Sequence, residues 1–303
     1  MIQPRYSFAE LQCALAGAGA CFQLGPFVVE VSTDIPAVAE GLYRFYAEYP
    51  RAGEDGFADF HVRLSRVQGL RRWYRPQVEF SIDGRHPFRP MMLEHAFPMF
   101  EWTLNWCVAN YAHQYLMFHS AVVERNGVAA ILTAPSGSGK STLCAALINR
   151  GWRLFSDELA LIALSDGQLD PFPRPVSLKN NSIDIIRSYA SDALFGPLTH
   201  DTRKGTVGHM KAPSDSITRA AERARPGWLI FPRYVAGAEP VMAPLKKSAA
   251  AFAMIENSFN YHVLGQIGFE TLADLVAHSR CFQFTYSRLD DAIAAFDELE
   301  LAP

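Results

Sequence analysis

The nine residues from Ala134 to Thr142, which read APSGSGKST, constrain the fold of this chain most strongly. They follow a short apolar run at residues 128–132 and precede a segment with helical character at residues 143–148. A strand, a glycine-rich turn and a helix in this order are typical of a phosphate-binding loop, because a false match rarely has both flanks. The motif therefore predicts an α/β fold built around a nucleotide site.

The loop also predicts which groups would hold a nucleotide. Glycines let successive backbone N–H groups point at one anion, and the helix N-terminus adds partial positive charge. Lys140 would reach the β- and γ-phosphates of ATP, and the Ser141 hydroxyl would be a ligand of Mg²⁺. Ala134 departs from the consensus, which has glycine there. The predicted nucleotide-binding residues are Pro135, Ser136, Gly137, Ser138, Gly139, Lys140, Ser141 and Thr142.

Composition excludes several other classes of protein. The chain has 303 residues, of which 49% are hydrophobic and 19% charged, so it can bury a large core. Its formal net charge of −3, without a basic stripe, argues against a nucleic-acid partner. The five cysteines include no C-x-x-C pair, which argues against a zinc or disulfide framework. We find no leader-like start and no apolar run long enough for a membrane span, and expect a cytoplasmic protein without a membrane partner.

The distribution of motifs predicts two domains. Residues 1–112 carry no catalytic motif, and their strand and helix patterns predict a small α+β domain that ends in an aromatic-rich helix. Residues 113–303 contain the loop and would form the nucleotide domain. Here two long strands are expected, at residues 115–123 and 152–164, and a hairpin turn at Asn126-Gly127. A long irregular stretch is expected at residues 185–226, and it includes a basic segment with Arg203, Lys204, His209 and Lys211.

An acidic pair supplies the best candidates for the remaining chemistry. Asp157 and Glu158 follow an apolar strand that leads away from the predicted loop helix, so their carboxylates would lie beside the phosphates. One of the two would hold Mg²⁺ and the other would accept the proton of an acceptor hydroxyl. A solvated turn is the alternative. The spacing from Lys140 to Asp157 favours the catalytic interpretation.

Several cationic or titratable residues are further candidates. His119, on the strand before the loop, could contact the acidic pair or a phosphate, or move a proton, although a lone strand histidine is more often structural. The basic segment at residues 203–211 could close over the phosphates or be only a solvated surface. These additional candidates are Arg174, Lys179, Arg203, Lys204, His209 and Lys211.

The run from Phe118 to Ile162 resembles the catalytic domain of bacterial HPr kinase/phosphorylase. The similarity rests on His119, the loop at residues 137–141, the segment Arg150-Gly151-Trp152-Arg153-Leu154 and the Asp157-Glu158 pair. The wider pattern is similar to the group called HprK-related kinase A. Its weaker matching segments are residues 173–179, Gly205-Thr206-Val207-Gly208-His209, Phe231-Pro232-Arg233-Tyr234 and Asn257-Ser258-Phe259-Asn260.

This resemblance implies a P-loop kinase domain of the HPr kinase/phosphoenolpyruvate carboxykinase type. By that likeness Asp157, His119 and Lys140 would be catalytic, with Asp157 activating a seryl hydroxyl. Ser141, Asp157 and Glu158 would hold the metal, although Glu158 stands where the family has a second Asp. The Glu-containing signature of the true HPr kinases is absent near residues 174–179, so phosphorylase activity and HPr as acceptor are not implied.

The leading interpretation is an ATP- and Mg²⁺-dependent kinase that phosphorylates a hydroxyl of a peptide or small protein. The related group accompanies small peptide-carrier proteins, which implies an acceptor of that kind, and the family implies a homo-oligomer. Two alternatives remain open, a small-molecule P-loop kinase and a non-catalytic nucleotide-binding scaffold, since a site motif fixes nucleotide chemistry better than it fixes the acceptor.

Overall fold

The computed structural model describes residues 6–52, 57–69, 73–135 and 137–299. In these residues nine α-helices and four β-sheets form a mixed α/β architecture. The sheets contain five, three, three and six strands. The mixed α/β class expected from the sequence is therefore confirmed, while its finer assignment to a kinase type stays a prediction.

The N-terminal part forms a five-stranded sheet in the order β1-β2-β3-β4-β5, with a pair of helices and a long third helix packed on it. The elements are α1 Phe8–Ala16, β1 Ala20–Leu24, β2 Phe27–Thr33, α2 Pro36–Tyr46, β3 Phe60–Arg66, β4 Gln77–Ile82, β5 Met91–Met92, a 3₁₀ turn Leu93–His95 and α3 Ala96–Tyr111. Pro98 lies in the first turn of α3, where its missing N–H costs nothing. Asp34 precedes α2 but does not cap it; its side chain instead accepts a hydrogen bond from the Arg66 amide at 3.2 Å.

The central part of the chain follows. Its elements are β6 Tyr115–Phe118, β7 Ser120–Arg125, β8 Val128–Thr133, α4 Lys140–Ile148, β9 Arg153–Ser156, β10 Ala160–Ala163, β11 Leu169–Asp170, β12 Val176–Lys179, α5 Asn181–Tyr189, β13 Thr199–Thr202, β14 Gly205–Met210 and α6 Ser214–Thr218. The predicted hairpin turn between β7 and β8 is confirmed, since Asn126 and Gly127 have φ of 55° and 79°.

The remaining elements complete the largest sheet, whose order is β16-β17-β15-β8-β7-β9. They are β15 Arg225–Tyr234, β16 Val241–Pro244, α7 Lys247–Glu256, α8 Tyr261–His278, β17 Arg280–Tyr286 and α9 Leu289–Asp297. Strands β8, β15 and β17 run parallel, so their carboxyl ends meet at one edge of the sheet. By the general rule for open α/β sheets, ligands bind at that edge.

The burial of strand β8 shows that the sheet is covered on both faces. All six of its residues are buried, as is typical of a strand between two layers. Val128, Ala130 and Leu132 point into the larger apolar core, and Ala129 and Ile131 into the smaller one beneath α7 and α8. The sheet is therefore a central layer, and the glycine-rich loop leaves it at the carboxyl end of β8.

Each of the two strands predicted as continuous is broken. The first changes sheets at His119, where β6 ends and β7 begins, and the second changes sheets at residues 157–159, between β9 and β10. Strand β6 pairs with β10 and β7 pairs with β9, so the two strands bend together. Apolar residues flank both bends, and neither bend contains a glycine or proline that would mark a break, so the sequence did not reveal them.

The stretch at residues 185–226, expected to be irregular, is largely ordered. It contains part of α5, the β13–β14 hairpin, α6 and the first residues of β15. Strand β14 pairs with β12, so the hairpin belongs to a three-stranded sheet in the order β12-β14-β13. Its glycine and polar residues are turn residues of regular structure rather than signs of a long loop.

The larger apolar core joins the N-terminal part to the rest of the chain. Phe27 of β2 packs edge-on against Phe172, with ring centroids 5.5 Å apart, and the Tyr49 hydroxyl donates to the Pro173 carbonyl at 2.8 Å. The division into domains at residues 1–112 and 113–303 stays a prediction. The strands before residue 112 form a sheet of their own, but the larger apolar core contains side chains from both parts.

Among the described ranges, every helix is too short or too polar to cross a lipid bilayer.

Candidate functional site

The glycine-rich loop connects β8 to α4 and depends on two glycines. Gly137 and Gly139 have φ of 88° and 89°, in the left-handed region that other residues rarely adopt. A Cβ on Gly139 would also lie 2.6 Å from the Tyr286 hydroxyl oxygen. Ser136, one of the predicted nucleotide-binding residues, lies outside the described residues. The other predicted loop residues lie between the carboxyl end of β8 and the first turn of α4, which is where a phosphate cradle is expected.

Lys140 opens α4 and is buried, with 7% of its surface exposed. Its Nζ donates to the His119 carbonyl at 3.0 Å and to the Ala134 carbonyl at 3.4 Å. Burial lowers the pKa of Lys140, and the charge of Asp157 opposes that effect. The alanine in place of the consensus glycine is buried itself, and its carbonyl helps to hold the lysine.

The two strand bends place His119 beside the acidic pair. His119 is fixed by the turn between α7 and α8: its amide donates to the Asn257 carbonyl at 2.8 Å, and its ring packs edge-on against Phe259. Asn260 clamps β6 by accepting from the Met117 amide and donating to the Tyr115 carbonyl. The segment Asn257–Asn260 thus fixes the position of the bend at His119.

Asp157 is buried, with 5% of its surface exposed. Its Oδ2 accepts a hydrogen bond from the Ser177 amide at 3.1 Å, whereas Oδ1 has no hydrogen-bond partner among the described residues. Burial, reinforced by the charge of Glu158, raises the pKa of Asp157 to about 6, against the opposing effects of Lys179 and Ser141. A buried oxygen without a protein partner requires an explanation, and here it belongs to a carboxylate with a shifted pKa that borders a cleft, which is typical of a functional site.

Glu158 and His119 form a second, more exposed pair. Glu158 Oε2 lies 3.7 Å from His119 Nδ1, and Glu158 Oε1 lies 3.9 Å from Lys179 Nζ. Burial acts to raise the pKa of Glu158, but Lys179, His119 and Lys204 together lower it below its ordinary value. Burial and the charge of Lys140 lower the pKa of His119 to about 4, so the imidazole is neutral at pH 7.

These groups line one cleft of about 360 Å³. Its walls come from the loop, both bends, β12, α5 and the β13–β14 hairpin. The lining residues are His119, Pro135, Gly137, Gly139, Lys140, Ser141, Thr142, Asp157, Glu158, Ser177, Lys179, Asn180, Ser182 and Lys204. The structure therefore brings every described residue of the predicted catalytic and metal sets to a single cavity.

The additional cationic candidates separate into two groups. Lys179 and Lys204 line the cleft. Arg174 does not, because it is buried in an ion pair with Glu101 at 3.1 Å. His209 packs edge-on against Phe97, and burial lowers its pKa to about 4.

Two further members of the basic segment also lie away from the cleft lining of the described chain. Lys211 Nζ pairs with Glu48 Oε1 at 2.6 Å, and Arg203 is exposed on the hairpin next to Lys204. Only one residue of the basic segment therefore reaches the cavity, although the sequence makes all four look equivalent.

Sequence reasoning missed the residues that shape the wall opposite the loop. Asn180 has φ of 52°, and its side chain accepts from the Thr206 amide at 3.1 Å and donates to the Lys204 carbonyl at 3.3 Å. Ser177 contributes only its amide to Asp157, and no side-chain motif reports a backbone group. The Asn180-Asn181 pair after a strand was the single available signal, since asparagine tolerates a left-handed backbone.

The arrangement suits a metal ion held jointly with phosphate. No cluster of three or more His, Cys, Asp and Glu side chains in the described residues could hold a metal by itself. Mg²⁺ commonly takes one or two carboxylates together with substrate phosphates and water. The unpartnered Oδ1 of Asp157 and the nearby Ser141 hydroxyl supply hard oxygen donors of that kind.

Comparison with known proteins gives limited similarity. Residues 96–195 match the model of a family described as SynChlorMet cassette protein ScmC. No curated protein matches the chain. Among solved structures, the chain is similar to the Hpr(Ser) kinase/phosphatase from Coxiella burnetii, with 13% identity, coverage of 60% of this chain and 96% of that chain, and a TM-score of 0.28. That TM-score is too low to establish a shared fold.

Proposed function

We propose that this protein is an ATP- and Mg²⁺-dependent kinase that transfers a phosphoryl group to a hydroxyl of a peptide or small protein. One observation carries the proposal: a buried carboxylate with an unpartnered oxygen, Asp157, shares a cleft with the lysine and serine of a glycine-rich loop. Phosphoryl transfer needs a phosphate cradle, a metal and a group that activates the acceptor, and this cleft offers candidates for all three.

The residues suggest how the transfer would proceed. The loop amides and Lys140 would bind the phosphate oxygens and hold the γ-phosphoryl group. Asp157 would accept the proton of the acceptor hydroxyl while the new O–P bond forms and the bond between the β–γ bridging oxygen and the γ-phosphorus breaks. ADP then leaves with the electron pair of the broken bond. A carboxylate whose pKa is raised to about 6 is still ionised at neutral pH and is a better base than an ordinary one.

The remaining polar groups would position the reactants. Ser141 and Glu158 would hold Mg²⁺ directly and Asp157 would hold it through water, so that Asp157 keeps an oxygen for the proton; the ion, when bound, would neutralise phosphate charge. Neutral His119, whose Nδ1 lies 3.7 Å from Glu158 Oε2, would limit the movement of that carboxylate by packing beside it. Lys179 would hold the same carboxylate from the other side.

The acceptor class rests on the resemblance to HPr kinase-related proteins. We place the protein in the cytoplasm, where ATP and Mg²⁺ are available, and assign acceptor docking to an N-terminal domain of residues 1–112. A small peptide-carrier protein would be the natural acceptor.

The test uses the purified full chain with Mg²⁺ and γ-labelled ATP. Candidate acceptors are peptides and small proteins encoded near its gene, with small hydroxyl compounds assayed in parallel. We expect label on a serine of a peptide or protein with the wild type, and at least a hundredfold less with Lys140→Ala, because the cradle loses its cation. Arg203→Ala is the matched control, since Arg203 is an exposed cation outside the cleft lining.

Three results would contradict the proposal in different ways. Label on small compounds alone would make the protein a small-molecule kinase. ATP binding without transfer to any acceptor would make it a nucleotide-binding scaffold. Unchanged transfer by Lys140→Ala would remove the loop from the mechanism.

A further inference from the structure

We propose that Tyr234 is the stacking platform for the base of the bound nucleotide. This inference rests on the proposed function, because it takes the glycine-rich loop to bind the phosphates. It adds a nucleobase subsite on the side of the loop away from the acidic pair.

Strand β15 carries Tyr234 to the loop. Its last pairing with β8 joins Ile230 to Leu132, and the strand then continues to Tyr234 alongside the loop, paired with β17. The Tyr234 amide donates to the Ser138 carbonyl at 3.3 Å. A Cβ built on Gly139 would lie 3.4 Å from the Cβ of Tyr234. The tyrosine is therefore a direct neighbour of the phosphate cradle.

The Tyr234 side chain is exposed but held. It is 53% exposed, although it belongs to the largest sheet. Its ring meets Tyr286 edge-on, with centroids 6.0 Å apart and planes at 76°. Tyr286 is buried, stacks on Phe284 and donates its hydroxyl to the Gly139 carbonyl at 3.2 Å. The supporting tyrosine thus couples the exposed ring to the loop, and a ring held this way loses little freedom on binding.

The order of strands sets the direction of the nucleotide. Around the loop strand the order is β15-β8-β7-β9, and Asp157 follows β9. The γ-phosphate must lie on the Asp157 side for transfer to occur. The nucleoside at the other end of the triphosphate therefore extends towards β15, whose carboxyl end lies on the same sheet edge. The exposed ring of Tyr234, at the carboxyl end of β15, therefore lies where the base would contact the protein.

Stacking is sequence-tolerant, because every base has a π-face. We therefore expect ATP and GTP to bind with similar affinity, within about threefold.

The experiment separates the base from the phosphates. Binding of ATP and of inorganic tripolyphosphate, each with Mg²⁺, is measured by calorimetry for the wild type, Tyr234→Ala and Tyr234→Phe. Phe252→Ala is the control, because Phe252 is an aromatic residue 70% exposed on α7. We expect Tyr234→Ala to bind ATP about tenfold more weakly or worse, with tripolyphosphate affinity unchanged, and Tyr234→Phe to restore ATP binding.

The failures are distinguishable. Tyr234→Ala that binds ATP like the wild type, or that loses ATP and tripolyphosphate equally, overturns the stacking proposal, while binding of both ligands by the wild type still supports the proposed function. A raised KM for the acceptor with unchanged ATP affinity overturns it as well, in favour of acceptor contact. A wild type that binds neither ligand overturns the proposed function itself, and with it this inference.

Discussion

Two buried carboxylates, Glu101 of α3 and Asp157 of the second strand bend, are alike in their exposure to solvent and in the direction of their pKa shift. They are 6% and 5% exposed, and burial raises the pKa of Glu101 to about 7 and that of Asp157 to about 6. Their partners differ. Glu101 accepts from the Tyr46 hydroxyl at 2.7 Å on one oxygen and from Arg174 at 3.1 Å on the other. Asp157 has one oxygen satisfied and one without a partner in the described chain.

The difference shows that burial and a raised pKa do not identify a catalytic carboxylate. Both oxygens of Glu101 accept hydrogen bonds, and the carboxylate ties α3 to the segment before β12, with Asn105 as a second acceptor for Arg174. Glu101 does not line the cleft. Asp157 borders a cleft, and its unpartnered oxygen can accept a proton or a metal ion only because the fold leaves it unsatisfied.

The largest expected effect is on phosphoryl transfer. Asp157→Asn should lower kcat by 10²- to 10⁴-fold, because the base is lost while the shape is kept. Glu101→Gln should keep kcat within a few-fold of the wild type at a temperature where both are folded. Transfer of label at saturating ATP measures both, and calorimetry should show that each variant still binds ATP. Equal losses in the two variants would mean that the contrast between the carboxylates is not functional.

The second effect concerns stability, for which the change at Glu101 should matter more than the change at Asp157. Glu101→Ala removes the acceptors of the Tyr46 hydroxyl and of Arg174 and leaves that guanidinium buried without a partner carboxyl, so the free energy of unfolding should fall by about 3–5 kcal/mol. Urea unfolding at pH 8 measures it. The control is Arg219→Ala, which removes the more exposed pairs with Asp215 and Glu222 and should cost at most about 1 kcal/mol. A loss for Glu101→Ala no larger than that of the control would show that the buried pair contributes little.

The smallest effect is the pH dependence of stability without metal. A carboxyl whose pKa is raised from 3.8 to about 6 in the folded state stabilises the protein fully below pH 4, and that contribution disappears as pH rises through 6. Asp157→Asn should therefore be more stable than the wild type at pH 8, by about 1–3 kcal/mol, and the advantage should disappear below pH 4. Urea midpoints across this range, at constant ionic strength, test it. A variant less stable than the wild type at pH 8 would contradict the desolvation argument.

Much of the nucleotide region could be predicted because its signals are local. The strand, the turn and the helix around Lys140 are contiguous, and glycine reports a left-handed backbone directly. The Asn126-Gly127 hairpin was predicted for the same reason. The segments Phe231–Tyr234 and Asn257–Asn260 were noticed only through a family resemblance, and the structure explains their places beside the loop and beside His119.

Other features were not predictable, since they depend on contacts between distant segments. Both bends are flanked by apolar strand residues and contain no glycine or proline, so no turn signal separates the strands on either side. The sequence could not separate Lys204, which reaches the cleft, from Arg203, Lys211 and His209, because that choice depends on the pairing of β12 with β14. Ser177 acts through its backbone, which no side-chain pattern reports.

By itself the sequence determined the loop, the mixed α/β class and the identity of the acidic pair, because each depends on neighbouring residues or on composition. Only the tertiary structure decided that Asp157 keeps a free oxygen while Glu101 does not, and that Tyr234 lies beside the loop. The physical reason is that hydrogen-bond satisfaction and desolvation depend on which groups distant segments bring together: the partner of Asp157 lies 20 residues away along the chain, and Arg174 lies 73 residues from Glu101.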